Sequence, residues 1–360
     1  MPKRSLGLAE RRQLRRDARR VLFGNWTGTS TVPSHSLYPH QWSWDSAFIA
    51  IGLRHLSAAR AQRELEALLG AQWGDGRIPH IVFNPQVPPD AYFPGPDFWR
   101  SSASGADARA PRMTQTSGII QPPVHALAVW LVHQADPDLS RRRGFLARIR
   151  PRLTAWHRYL ADSRDLGGGG LSAVVHPWEP GMDNSPCWDG PLARVEPVAP
   201  DSFRRADLTH GAAADRPTDL DYGRYVRLAA DYRDNGYRDA DVPHRFAVED
   251  PSFNALLIAS EHALAAIVSE LDGDGGPHRE RAAALTAALV ERLWSPEAGQ
   301  FLCRDLCAPG GPHEAAGGEL MDVRSVAGLL PLVVPDLPAD VTAALLRTIS
   351  GEHFGLGNSV

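Results

Sequence analysis

The sequence predicts an all-α fold, a toroid of helical hairpins stacked around a central pocket. Three observations carry this. Apolar residues recur at helical spacing in about ten segments. Period-2 strand patterns are nearly absent, with "RIPHIVF" and "SAVVHPW" the short candidates. The helices run in pairs, joined by short turns on one side and long loops on the other, and the long loops hold most of the Trp, Tyr, Gln, Asn and Asp. Hairpins presenting loops at one rim match that layout.

The elements follow in order. The basic N-terminus, "MPKRSLGLAERRQLRRDARR", reads as the solvated face of a first helix, with Leu14, Ala18, Val21 and Leu22 turned inward. It has no apolar core of the kind a secretory signal needs. Asp45 is placed to cap "SAFIAIGLRHL", which is apolar almost all round and therefore buried. Ser57 caps the next helix, with Ala61, Leu65, Leu68 and Leu69 on one face. "GIIQPPVHALAVWLVHQA" reads as a helix entered through Pro122 and Pro123. "SRRRGFLARIRPRLTAWHRYLADSR" continues the pattern, and Pro151 is expected to break or kink it. "DLDYGRYVRLAADYRDNG" is helical. Asp250 and Pro251 take cap and first-turn positions, and Phe253, Leu257, Ser260, Leu264 and Ile267 follow at helical spacing. "HRERAAALTAALVERLW", "MDVRSVAGLLPLVV" and "PADVTAALLRTIS" close the series. "DLGGGG", "GDGGP" and "APGGPHEAAGGE" read as glycine-rich turns, and no linker divides residues 1–360, so they read as a single domain.

Composition limits the function classes. At 360 residues, 43% hydrophobic and 22% charged, the chain has ample material for a core. A net charge of −4 gives no general case for nucleic acid or an anionic membrane, and no apolar run is expected to reach the length of a membrane span. Lys3 is the only lysine, so arginine abundance by itself says little. The three cysteines, Cys187, Cys303 and Cys307, form neither a disulfide framework nor a zinc set, which points to a reducing cytoplasm. Cys187 reads as a small filler rather than a nucleophile. No cofactor and no metal-ligating residue is assigned; Asp and Asn are plentiful enough on the loops for a structural cation, but no calcium-loop spacing occurs. Oligomeric state leaves no mark on the sequence.

Four loops gather flat rings with Asp, Gln and Asn: "SLYPHQWSWDSAF", "IPHIVFNPQVPPDAYFPGPDFW", "TQTSGIIQPPVHA" and "HPWEPGMDNSPCWD". That mixture suits a small sugar, whose C–H faces stack on rings and whose hydroxyls bond carboxylates and amides. A single Trp is more simply a core residue. Trp42, Trp44, Trp178 and Trp188, each a few residues from an Asp, read together as a site. Glycoside hydrolysis needs an acid for the leaving oxygen. Asp183 is the candidate: it follows Gly181, which allows close backbone approach, and lies between Trp178 and Trp188, whose apolar surroundings would hold its proton. An Asx-turn or helix cap is the structural alternative, since Asn184 and Ser185 follow.

"HPWEPGMDNSPCWD", with "QWSWDSAF" and "SGIIQPPVHA" before it and "RPTDLDYGRY" after it, resembles glycoside hydrolase family 63, nearest its bacterial branch that cleaves mannosylglycerate and glucosylglycerate. The resemblance runs over roughly residues 8–355. It implies an (α/α)6 barrel, an inverting mechanism and Asp183 as general acid. It further implies sugar-binding roles for Tyr38, Trp42, Trp44, Asp45, Gln121, Trp178, Arg216 and Tyr222. Arg216 is assigned to the carboxylate of a glycerate aglycone, because a guanidinium fork fits a carboxylate bidentately. Tyr92 is placed over the same end.

The departure from the family lies late in the chain. The family's general base is a glutamate beyond a further Trp-rich segment, and nothing after Asp183 reproduces it. Glu314, Glu319 and Glu352 lack matching aromatic neighbours. About ten helices are also two short of the twelve that close six hairpins. The expectation is therefore a barrel lacking its C-terminal portion and its base. A trehalase-like or oligosaccharide-acting α-glucosidase, or a non-catalytic sugar-binding remnant, are the competing readings.

Overall fold

The computed structural model describes residues 7–104, 109–205, 208, 216–239, 244–308 and 318–355. Among these the chain is mainly helical. Nine helices have eleven residues or more: α1 (Leu8–Gly24), α2 (Ser43–Leu53), α3 (Ala58–Gly70), α5 (His125–Ala135), α7 (Phe145–Ser163), α9 (Asp219–Asp234), α10 (Pro251–Glu270), α11 (Gly276–Leu293) and α12 (Ala339–Ile349). Three are single turns or little more: α4 (Pro96–Trp99), α6 (Pro137–Arg142) and α8 (Asp189–Ala193). "SVAGLLPLVV" forms a 3₁₀ stretch over Val326–Val333 rather than an α-helix. Pro331 inside it cannot donate to an α-helical ladder.

The strongest helix signals hold. Ser57 Oγ accepts from the Arg60 N–H at 3.4 Å, and Ala61, Leu65, Leu68 and Leu69 are all buried. Asp250 Oδ1 accepts from the Phe253 N–H at 2.7 Å and starts α10. Phe253, Leu257, Ser260, Leu264 and Ile267 are fully buried, and each buried Leu or Ile is worth about 1.5–3 kcal/mol. At 20 residues and mean hydropathy 1.3, α10 does reach the length and apolarity of a membrane span, against the sequence reading; 78% of its apolar window is buried in the fold. It packs on α5, α7, α11 and the 3₁₀ stretch, and α2 packs on α3 and α5.

Four expectations are corrected. Asp45 does not cap α2; Trp42 is the cap residue, and Asp45 lies in the first turn. The helix expected from residue 118 begins only at His125, because Pro122 and Pro123 hold the preceding backbone extended. Pro151 does not break α7, which runs through it while burying Leu146, Ile149, Leu153, Trp156 and Leu160. On α1, Leu14 (60% exposed), Ala18 and Val21 (57%) face solvent. That helix meets the body through Leu22 and Phe23, with the Arg60 guanidinium 4.2 Å from the Phe23 ring centre.

Eight two-residue strands pin the loops. β1 (Gln41–Trp42) pairs antiparallel with β2 (Ile81–Val82), placing Trp42 opposite Ile81. β3 (Ala173–Val174), β4 (Val248–Glu249), β7 (Arg304–Asp305) and β8 (Glu319–Leu320) form one sheet in the order β3-β4-β7-β8. β5 (Trp294–Ser295) and β6 (Gln300–Phe301) make a separate hairpin.

Candidate active site

The site grows from the β1–β2 pairing. It sets the first long loop against the second, and the Ser43 N–H donates to His80 O at 2.9 Å. Trp42 then lies edge-on to Tyr38 (ring centres 5.2 Å), Tyr92 (5.1 Å) and His80 (6.4 Å). His80 stacks on Trp178 at 6.3 Å and 25°, and Trp178 meets Tyr222 at 6.0 Å. These rings form a continuous wall around a cavity of about 230 Å³.

Ten of the residues singled out in the sequence line this one cavity, Trp188 being the exception: Tyr38, Trp42, Trp44, Asp45, Tyr92, Gln121, Trp178, Asp183, Arg216 and Tyr222. The third loop is joined to the first where Gln121 Oε1 accepts from the Trp44 N–H at 3.1 Å. Gly181 has φ 71°, and a Cβ there would stand 2.4 Å from Trp44 Cζ2, so the acid loop passes the Trp44 ring closer than any side chain allows. Tyr225 OH donates to Asp183 O at 2.6 Å and fixes the acid's backbone. Tyr222 OH donates to Phe93 O at 3.0 Å, tying α9 to the second loop.

The charges in the cavity are held differently. Burial pushes the Asp45 carboxyl up to about 6, and its own backbone N–H offsets only part of that. Arg216 Nη1 reaches Tyr38 OH at 3.4 Å, and among the described residues no carboxylate pairs with it. A half-buried guanidinium in that state can receive an anionic ligand. Asp183, by contrast, lies exposed at the cavity edge. The apolar enclosure expected for it is incomplete on one side, because Trp188 turns away. Trp188 is buried against Phe246, with Nε1 donating to Met182 O at 2.7 Å. It is therefore a core residue that braces the acid loop.

His80 was not read from the sequence. A lone histidine among apolar residues gives no signal, and only the β1–β2 register brings it between Trp42 and Trp178. Burial, with His176 nearby, pushes it down to about 3, so it is neutral. His176 sits behind Trp178: its Nδ1 accepts from the Trp178 N–H at 3.1 Å and its Nε2 bonds Tyr225 O at 2.9 Å. Of the other glutamates considered, Glu319 and Glu352 are exposed outside the cavity, and Glu314 and most of "APGGPHEAAGGE" lie outside the described residues. Cys187 is buried with its thiol 3.6 Å from Ser325 Oγ and does not line the cavity. No group of three or more His, Cys, Asp or Glu is placed to hold a metal among the described residues.

Residues 38–358 match the mannosylglycerate hydrolase MGH1-like glycoside hydrolase domain. The chain is 41% identical over 302 residues to a mannosylglycerate hydrolase of Rubrobacter radiotolerans, covering 82% of this chain and 66% of that protein. It is 39% identical over 356 residues to a glucosylglycerate hydrolase of Mycolicibacterium hassiacum, covering 95% and 76%. Among solved structures, a family 63 mannosylglycerate hydrolase from Thermus thermophilus, in complex with Tris and D-glycerate, superposes with a TM-score of 0.80 at 39% identity, over 93% of this chain and 76% of that one. A neutral trehalase of Saccharomyces cerevisiae shares the fold at a TM-score of 0.51 and 15% identity, over 89% and 54% of the two chains. The chain thus spans about two thirds to three quarters of the length of the two curated hydrolases.

Proposed function

The chain belongs to glycoside hydrolase family 63, in its mannosylglycerate and glucosylglycerate hydrolase branch, and from that premise we propose that its cavity takes the sugar of glucosylglycerate or mannosylglycerate, with Asp183 as general acid of an inverting hydrolysis. The observation that supports this best is the meeting of ten residues from four separate loops and the start of α9 in one cavity. Trp42, Trp178 and the tyrosines offer flat faces for a pyranose, and Asp45 and Gln121 offer hydroxyl partners. Arg216, which has no carboxylate partner among the described residues, is the place for the glycerate carboxylate. Asp183 would protonate the leaving oxygen while a base takes a proton from the attacking water.

In this reading the base is not among these 360 residues. Inversion needs a second carboxylate about 6.5–9.5 Å from the acid. The only other carboxylate lining the described cavity is Asp45, which belongs to the sugar floor. The proposal extends to architecture: about ten of the twelve helices of an (α/α)6 barrel, one catalytic domain lacking its last part. On its own, such a chain would bind sugar and turn it over poorly. The resemblance to trehalase rests on fold alone and gives no support to a disaccharide substrate.

The test is an assay of residues 1–360 on both glycerate glycosides and on neutral glucosides, beside a chain extended by a family C-terminal segment. Little turnover by the former and clear turnover by the latter is expected. In the extended chain, Arg216→Ala should weaken the glycerate substrates by about 1.5–3 kcal/mol and the neutral ones far less. Equal turnover by the two chains would place a base within these residues. Equal losses on both substrate classes would remove the glycerate assignment.

A further inference from the structure

Behind the cavity lies a charged cluster that the proposed chemistry does not use. Arg77, Arg164, Glu179 and Asp239 are all buried, Arg164 and Glu179 completely. Arg164 grips Glu179 with two parallel bonds, Nη1 to Oε2 at 2.7 Å and Nη2 to Oε1 at 2.8 Å. Glu179 takes two backbone donors as well: the Val175 N–H at 2.7 Å and the Ile120 N–H at 3.2 Å. Arg164 also pairs with Asp239 at 2.9 Å and donates to Ala173 O at 3.3 Å. Asp239 is held by Tyr159 OH at 2.7 Å and Tyr232 OH at 2.6 Å. Arg77 Nη1 donates to Gly118 O at 2.9 Å.

The backbone groups gripped here are not scattered. Ile120 precedes Gln121 on the cavity wall, and Gly118 lies in the same loop. Glu179 follows Trp178 and stands four residues before Asp183. One dry ion pair thus joins the loop that carries Gln121 to the loop that carries Trp178 and the acid. Removing charges from water costs about as much as their attraction returns, so the ion pair by itself gives no more stability than apolar side chains of similar size. What they could not do is accept two amide N–H groups from two different loops at fixed angles.

We infer that Arg164 and Glu179 are positioning residues, which set the acid loop against the sugar-binding wall and touch no substrate themselves. The inference rests on the sugar-site reading above for its functional meaning. It does not depend on turnover for its test.

Two variants of the full chain separate position from stability. Glu179→Gln keeps the shape and removes the charge. Arg164→Met with Glu179→Leu replaces the whole pair by apolar groups. Each is followed by thermal melting, by amide hydrogen exchange over residues 118–124 and 173–188, and by calorimetric titration with glucose. In Glu179→Gln, exchange is expected to rise about tenfold or more in both segments together, with α11 unchanged, and glucose affinity is expected to fall about tenfold. The double variant should recover most of the melting temperature without recovering exchange protection or affinity. A double variant that restores all three, a Glu179→Gln chain with both segments unchanged, or two variants that fail to fold would each show the pair to be structural only. If the unaltered chain does not bind glucose, the sugar-site reading fails. The exchange of the two loops still decides whether the pair holds them together.

Discussion

Two carboxylates in the interior have moved in opposite directions. Asp45, on the cavity floor, is pushed up to about 6 by burial. Glu261, on α10 facing α7 and α11, is buried as well, and burial alone would push it up too, but it sits near 2. The difference is company. Glu261 has His157 at 2.9 Å, His278 at 2.7 Å and Arg281 at 3.0 Å. Attraction to His157 and Arg281, with the contact to His278, outweighs the burial. Asp45 has no such cation among the described residues. The contrast separates two regions. Behind the cavity, Arg77, Arg164, Glu179, Asp239 and Glu261 come with counter-charges. In the cavity, Asp45 and Arg216 have none among the described residues, which is the arrangement a polar ligand with its own charge can complete.

The largest break in this contrast should come from deleting one half of a pair behind the cavity. Arg164→Ala should cost about 3–5 kcal/mol, because Glu179 is left buried and charged. Urea unfolding measures it, and a loss under about 1 kcal/mol would mean that the pair is not as dry as its burial implies.

Next come the two carboxylates, with opposite signs. The folded pKa of Glu261 lies below its unfolded value of 4.5, so its contribution is complete above that pH and is lost as pH falls toward 2. The stability gap between the natural chain and Glu261→Gln should therefore narrow between about pH 5 and pH 2.5, by on the order of 3 kcal/mol at the limit. The folded pKa of Asp45 lies above its unfolded value of 3.8, so the folded state binds the extra proton and loses stability as pH rises from about 4 to about 6. Asp45→Asn should then unfold like the natural chain near pH 4 and be the more stable of the two near pH 7, by on the order of 3 kcal/mol. A gap that does not change with pH would show Asp45 to be solvated or paired.

The smallest effect concerns geometry alone. Gly181→Ala adds one methyl at a left-handed position beside Trp44 and should cost about 1–2 kcal/mol. Its sharper reading is tryptophan fluorescence. An unchanged spectrum would show that the acid loop does not rest on Trp44.

Much of this was legible in the sequence, for physical reasons. Ser57 and Asp250 are side chains that can cap only in one way, so the starts of α3 and α10 are read correctly. Trp42, Trp44, Trp178 and Asp183 stand out from the loops themselves, because rings and acids on a loop have no core stripe to serve; the other six cavity residues carry over from the family resemblance. What failed depended on distant neighbours. Asp45 looks like a cap until Trp42 is drawn into β1, one residue ahead of the helix. Trp188 looks like a sugar platform until Phe246, from another part of the chain, takes its face. His80 and Glu179 were missed for the same reason. Their meaning lies in a strand register and in a partner fifteen residues upstream, neither of which local spacing encodes. The apolar stripe of α1 was read as inward because periodicity tells which residues share a face, not which way the face turns.

That helix has a consequence for handling the protein. Arg11, Arg12, Arg15, Arg16, Arg19 and Arg20 stand close together on a helix that buries no residue. Each bond after them is a cleavage point for a trypsin-like protease, and local unwinding of a helix held to the body mainly through Leu22 and Phe23 needs little energy. By the same token Arg77 and Arg164, equally good targets by sequence, are sealed inside. A digest would therefore trim the chain from its first helix and leave the arginines that organise the site untouched until the whole molecule opens.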